Sequence, residues 1–224
     1  VTPALKDCRR LVLWLALVLT FSLCGCGPAP EPPPAVVNLT GEDFLAMWTP
    51  AGIPGEGECG ARDGVLYVGA GQPMSGVRFD GDWEELRLPV TDYDLEFESR
   101  RVDGEDFFAT CTFPVGALDR CVSLVLGGWG GGLVGISSID HYDASQNQTR
   151  SEKAFENGVW YRVRIAVRDD EIAVWIDGRP VARVATRGRH LGLRPGDIDH
   201  CAPLGFASWA TDGEVRAVMM RRWH

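Results

Sequence analysis

Between residues 127 and 148 the chain gathers the side-chain types that handle sugars. The run Gly127-Gly128-Trp129-Gly130-Gly131-Gly132 surrounds one indole with five glycines. Such a loop permits tight turns and close backbone approach, and an indole presented from it stacks against the C–H face of a sugar ring. Shortly after it come Ser137, Ser138, Asp140, His141, Tyr142, Asp143, Asn147 and Gln148, a polar cluster suited to hydrogen-bonding hydroxyl groups. The expected binding residues are therefore Trp129, Ser138, Asp143 and Asn147. Asp140 and His141 are the candidate acid and base, since an imidazole carries protons near neutrality. The competing reading folds Trp129 back onto the core of a flexible hairpin.

A second constellation is Asp94, Glu96 and Glu98 in Asp92-Tyr93-Asp94-Leu95-Glu96-Phe97-Glu98. Alternate strand residues share one face ~6.7 Å apart, and glycosidic hydrolysis uses carboxylates at about 5 to 9.5 Å. The simpler reading is a solvated face with Arg100 and Arg101 as charge partners. Asp140, His141 and Asp143, like Asp197, Asp199 and His200, offer oxygen and imidazole donors that suit calcium. Neither run has the Asp/Asn spacing and glycine of a calcium loop, so no cofactor is expected, with calcium as the alternative. No Ser-centred nucleophile elbow, HExxH run or GxxxxGK[ST] segment occurs, which counts against those reaction classes.

The elements that must position these groups read as strands. In Asp92 to Glu98 odd positions are apolar and even ones acidic, the period of a strand with one face in a core and one in water. Val159, Tyr161, Val163, Ile165 and Val167 alternate in the same way with Trp160, Arg162, Arg164, Ala166 and Arg168. Ile172, Val174 and Ile176 lead into Asp177-Gly178, whose residues tolerate positive φ, and Val181 to Val184 returns as the hairpin partner. Further strands are predicted near 65–68, 107–113, 122–126, 133–137, 204–209 and 215–220. Thr40-Gly41-Glu42-Asp43 offers an N-cap with an acidic residue three positions on, so one short helix opens the domain. Ten or so short strands with Gly-rich links favour two packed antiparallel sheets: the fold class is all-β, a sandwich with a short N-terminal helix.

The N-terminal stretch sets the expected compartment. Lys6, Arg9 and Arg10 precede an apolar run from Leu11 to Leu23, shorter than the ~20 residues a spanning helix needs. Leu23-Cys24-Gly25-Cys26 resembles the lipobox of a bacterial lipoprotein signal peptide. The resemblance implies cleavage of residues 1–25, lipidation at Cys26 and a location in the bacterial cell envelope. Residues 26–38, with five prolines between Gly27 and Pro34, then form a stiff tether, and 39–224 the domain. A formal net charge of −9 repels nucleic acid and anionic headgroups but does not by itself identify a substrate; the cluster around Trp129 makes carbohydrate the expected partner, of a monomer that meets the membrane only through its anchor. In such an oxidising compartment Cys59, Cys111, Cys121 and Cys201 are an even set. Cys111 and Cys121 flank a Pro/Gly turn between strands and are the first expected disulfide, Cys59 and Cys201 the second; buried free thiols are the alternative.

The segment Tyr93 to Arg100, and Trp160-Tyr161-Arg162-Val163-Arg164 followed by Ile172 to Val181 with its Asp177-Gly178 turn, resemble the concanavalin A-like jelly-roll superfamily over roughly residues 60–223. Within it the chain is most similar to the bacterial 3-keto-disaccharide hydrolase-like group. That group carries an Asn-Ser-Gly-containing strand where this chain has Asp106 to Cys111, and laminarinase-like members read Glu-x-Asp-x-Glu where this chain has Asp94-x-Glu96-x-Glu98. The resemblance implies the jelly-roll fold and a hydrolase or lyase acting on oxidised disaccharides or glycosides. The alternative is a non-catalytic glycan-binding or structural module on the same fold. What separates enzyme from binder is whether two titratable groups face each other across a pocket beside Trp129.

Overall fold

The computed structural model describes residues 35–223. Cys26, the leader and most of the tether lie outside the described residues. The chain runs β1 (Val36–Asn38), α1 (Glu42–Leu45), β2 (Trp48–Pro50), β3 (Cys59–Arg62), β4 (Val65–Val68), β5 (Met74–Phe79), β6 (Tyr93–Asp103), β7 (Thr110–Pro114) and β8 (Cys121–Gly127). It continues through β9 (Leu133–Ser137), β10 (Ser151–Glu152), β11 (Tyr161–Val167), β12 (Glu171–Ile176), β13 (Arg179–Ala185), a 3-10 turn η1 (Asp197–Cys201), β14 (Gly205–Trp209) and β15 (Asp212–Arg222). Two antiparallel sheets result. One has the order β13-β12-β11-β6-β15-β4-β3 with β1 paired to the far half of β15; the other runs β10-β9-β8-β7-β14-β5-β2. Among the described residues no helix is long and apolar enough to cross a membrane.

The period-two pattern places the core. On β6, Tyr93, Leu95, Phe97 and Ser99 are buried; across from them Val163 and Ile165 of β11 and Val215 of β15 are fully buried too. The second sheet contributes Val77, Phe113, Val122, Leu124, Ile136 and Phe206 to the same cluster. Phe97 and Phe206 meet edge to face, ring centroids 5.0 Å apart, and the Tyr93 hydroxyl donates across to the Pro114 carbonyl at 2.6 Å. Burying side chains of this size contributes about 1.5–3 kcal/mol each, which makes the sandwich interior the main source of stability.

On the even face of β6, Asp94 and Glu98 are held in ion pairs. Asp94 is buried between Arg164 at 3.0 Å and Arg168 at 2.7 Å. Glu98 pairs with Arg216 at 2.8 Å. The partners come from the neighbouring strands because cross-strand neighbours stand closer than residues along one strand. Arg100 pairs instead with Glu214, and Arg101 turns inward to Asn157 and the Phe155 carbonyl.

Several expectations are corrected. The helix is capped at Gly41 and not at Thr40, whose hydroxyl instead accepts from the Val218 amide at 3.1 Å and ties the first loop to β15. Val36–Asn38, read as the end of the tether, pair with β15. Cys59, Cys111, Cys121 and Cys201 are all free and buried. Strand alternation explains both missing bridges. Cys111 lies opposite Leu124 with its side chain in the core, whereas Cys121 lies opposite Pro114 on the other face of the sheet, where its thiol points to the Leu118 and Pro203 carbonyls. Cys59 packs in the interior, while Cys201 sits on the outer face of the second sheet with Met74, Ile198 and Ala207.

Candidate functional site

The outer face of the second sheet is covered from two sides. η1 docks over β5 and β14, where Ile198 and Cys201 pack on Ala51, Ile53, Met74 and Ala207. It approaches that closely because Gly76 has no side chain: a Cβ there would stand 2.8 Å from the Cys201 sulfur. On the other side the loop after β9 lays Ala144 against Val125 and Leu133. Between the two covers a groove of about 510 Å³ remains, within the size range of small-ligand sites.

Its floor is a row of small hydroxyls on three adjacent strands, Thr110 of β7, Ser123 of β8 and Ser137 of β9. All three are at least nine-tenths buried. Ser123 shares a hydrogen bond of 3.0 Å with Thr112, but the hydroxyls of Thr110 and Ser137 have no partner among the described residues. A buried hydroxyl without a partner costs about 1–3 kcal/mol, so these two are poised to gain from a ligand's polar groups.

The walls are aromatic. Trp129 is 48% exposed and Trp209 41% exposed, and both line the groove with Phe107. Trp129 has left-handed backbone, φ 51 and ψ 51, followed by Gly130 at φ 86 and Gly131 at φ 99. An L-residue in this region costs about 1–2 kcal/mol, so the glycines that follow and a hydrogen bond from the Gly130 N–H to Asp106 Oδ2 at 3.2 Å hold the indole out from the sheet. Trp209 ends β14 and packs against Phe107, centroids 6.0 Å apart. The rim carries Asp106, Arg194 and Asp197.

Of the expected binding residues and the candidate acid and base, Trp129 alone lines this groove; Ser137 of the polar cluster and Asp197 of the second possible calcium cluster line it as well. Asp140 pairs with Arg189 at 2.6 Å and accepts the His190 N–H at 2.9 Å; these bonds hold its carboxyl below the usual aspartate range, Arg189 first. His141 stacks on His190, centroids 4.0 Å apart and 25° between planes. Ser138 exchanges backbone hydrogen bonds with Gly192, so residues 138–140 brace the 190–192 segment that leads into the Arg194 to Ile198 wall. Asp143 accepts from the backbone and hydroxyl of Ser145. Asn147 is spent on its own loop: its amide donates to the carbonyls of Ile136, Tyr142 and Asp143, and its oxygen accepts from Thr149. Among the described residues no three His, Cys, Asp or Glu side chains come together as metal ligands.

Sequence reasoning passed over Asp106, Phe107, Thr110, Ser123, Arg194 and Trp209 as site residues. For Trp209 the signal was present: it stands three positions after Phe206 on one strand, and opposite parity puts it on the outer face.

No protein-family model and no curated protein matches this chain. Among solved structures it is similar to a Crh5 transglycosylase in complex with NAG, with 13% identity, 84% of each chain covered and a TM-score of 0.56. It is also similar to a structure described as endo-acting O-glycanases of the human gut microbiota that initiate mucin breakdown, with 14% identity, 84% of this chain and 98% of that one covered and a TM-score of 0.51. A carbohydrate binding module, CBM66 from Bacillus subtilis, aligns at 12% identity over 78% of this chain and 95% of its own, with a TM-score of 0.49. The likeness is one of architecture: this chain is a two-sheet antiparallel β-sandwich.

Proposed function

We propose that the groove on the outer face of the second sheet binds a carbohydrate and that the domain is a glycan-binding module. The observation that carries this reading is the pairing of two exposed indoles, Trp129 and Trp209, with a buried floor on which the Thr110 and Ser137 hydroxyls lack partners. A sugar ring presents both complements, C–H faces for the indoles and hydroxyls for the floor. The solved structures of similar architecture support a carbohydrate ligand without choosing between binding and turnover, one being a transglycosylase holding NAG and the other named for endo-acting O-glycanases.

Binding is favoured over turnover by the carboxylates. Asp140 is engaged by Arg189 away from the groove lining, and Asp106 spends both oxygens on backbone N–H groups, so Asp197 is the one groove carboxylate with no partner among the described residues. A hydrolase or lyase acting on glycosides, including the oxidised disaccharides that the jelly-roll resemblance implies, is the second reading. The presence of both Asp106 and Asp197 on the rim speaks for it.

A glycan array combined with product analysis on the purified protein tests both. Trp129→Ala and Trp209→Ala are each expected to weaken retention of the best-bound glycan ~10-fold or more, the affinity equivalent of losing about 1.5–3 kcal/mol of indole burial. Asp197→Asn spares retention under either reading and abolishes product formation only under the second. Retention unchanged in both tryptophan variants would discard the groove. Display of this groove on a lipid-anchored tether in the bacterial envelope is part of the same proposal, and loss of lipid labelling in Cys26→Ser is its expected sign.

A further inference from the structure

We propose that Asp106 is the positioning residue of the Trp129 wall of the groove, with its neighbour Phe107 holding the Trp209 wall; this rests on the reading of the groove as a sugar site. Its side chain reaches one wall. Oδ2 accepts the N–H of Gly130, the residue after Trp129, at 3.2 Å, and Oδ1 accepts the N–H of Phe107 at 2.8 Å, which fixes the carboxylate plane. Hydrogen bonds to an ionised acceptor are the stronger kind, and here one of them restrains a left-handed tryptophan that its own backbone preference would release. The neighbouring residue reaches the other wall. The Phe107 carbonyl accepts the Trp209 N–H at 3.0 Å, and the Phe107 ring packs on the Trp209 indole.

The segment is itself anchored. The Asp106 N–H donates to the hydroxyl of Thr211 at 3.1 Å, and Thr211 is 1% exposed, two residues beyond Trp209. The Gly131 turn lies directly on the preceding residue: a Cβ at Gly131 would stand 2.7 Å from the Glu105 carbonyl. Residues 105–107 thus splice the glycine loop after β8 to the end of β14. With both oxygens occupied, Asp106 acts through the Trp129 indole and not on the sugar.

The test uses the protein labelled with 5-fluorotryptophan, its fluorine signals assigned from Trp129→Phe and Trp209→Phe. Asp106→Ala is expected to shift or broaden the Trp129 signal without any ligand present, and to weaken retention of the best-bound glycan about tenfold, the loss expected for one charge-assisted hydrogen bond. Asp106→Asn, which keeps one acceptor oxygen, is expected to move the signal less, and it carries the test should the alanine variant fail to fold. Phe107→Leu is expected to move the Trp209 signal and leave that of Trp129 in place. A Trp129 signal at its original position in both Asp106 variants overturns the assignment. The fluorine spectrum judges the positioning and the glycan array judges the groove, so each fails on its own measurement.

Discussion

A side chain that hydrogen-bonds its own loop is unavailable to a ligand, and this decides the roles of the polar residues after β9. Asn147 makes five such contacts, so Asn147→Ala leaves the Thr149 amide without its acceptor and takes one donor each from the Ile136, Tyr142 and Asp143 carbonyls. The expected result is destabilisation of about 1–3 kcal/mol, read as a lower urea midpoint, with glycan retention unchanged. Asp140 obeys the same logic with charge added. The Arg189 guanidinium and the His190 N–H favour its ionised form, so a carbon-detected NMR titration should place its midpoint below the ordinary aspartate value of ~3.9. The sign for stability follows: the contribution is present above the unfolded value and is lost as pH falls through the lower folded one. A general acid at neutral pH needs a raised midpoint, and finding one would return Asp140 to the list of catalytic candidates.

At the scale of elements, the groove exists because η1 can approach β5. Gly76→Val puts methyl groups where the Cys201 sulfur now sits, and overpacking of this kind costs about 1–3 kcal/mol. The expected outcome is a lower melting temperature together with weaker glycan retention, since Asp197 and Ile198 move with the displaced turn. Loss of stability with retention intact would mean that η1 does not shape the groove. The same strands show why the fold was legible and the site only in part. β6, β11, β12 and the Asp177-Gly178 hairpin announce themselves because one face is apolar throughout and the other polar. β5 was overlooked because its outer face carries Met74, Gly76 and Arg78, chosen for the turn that covers it, and β1, β2 and β10 are too short to show a period. Trp129 stood out through its glycines. Asp106 and Phe107 did not, since their work is done on residues more than 20 and 100 positions away, which only the strand order brings together. The polar run after β9 misled for a local reason: Asn, Asp, Ser and Thr so close in sequence satisfy one another and the backbone between them.

Across the whole molecule, the four cysteines of the described residues, Cys59, Cys111, Cys121 and Cys201, are placed by the two-layer architecture, which separates them between the interior and the outer face of the second sheet. Burial is the leading cause that raises each thiol; Cys121 and Cys201 are pushed up to about 12, and Cys59 and Cys111 are raised as well. Because the thiolate is the reactive form, all four should resist labelling in the native protein at pH 8 and all four should react once guanidinium unfolds it, with no reductant needed. Alkaline titration tests the same placement from the other side. A group whose folded pKa lies above its unfolded one stabilises fully below the unfolded value and progressively less as pH rises toward the folded value. Tyr93, buried at the junction of the sheets and also raised, adds to the effect. The melting temperature should therefore hold up to about pH 8.5, the free-cysteine value, and fall steeply between there and pH 12. A protein that unfolds without releasing labelled thiols until a reductant is added would mean that the cysteines are bridged after all, and the separation of Cys111 from Cys121 by sheet parity would then be wrong.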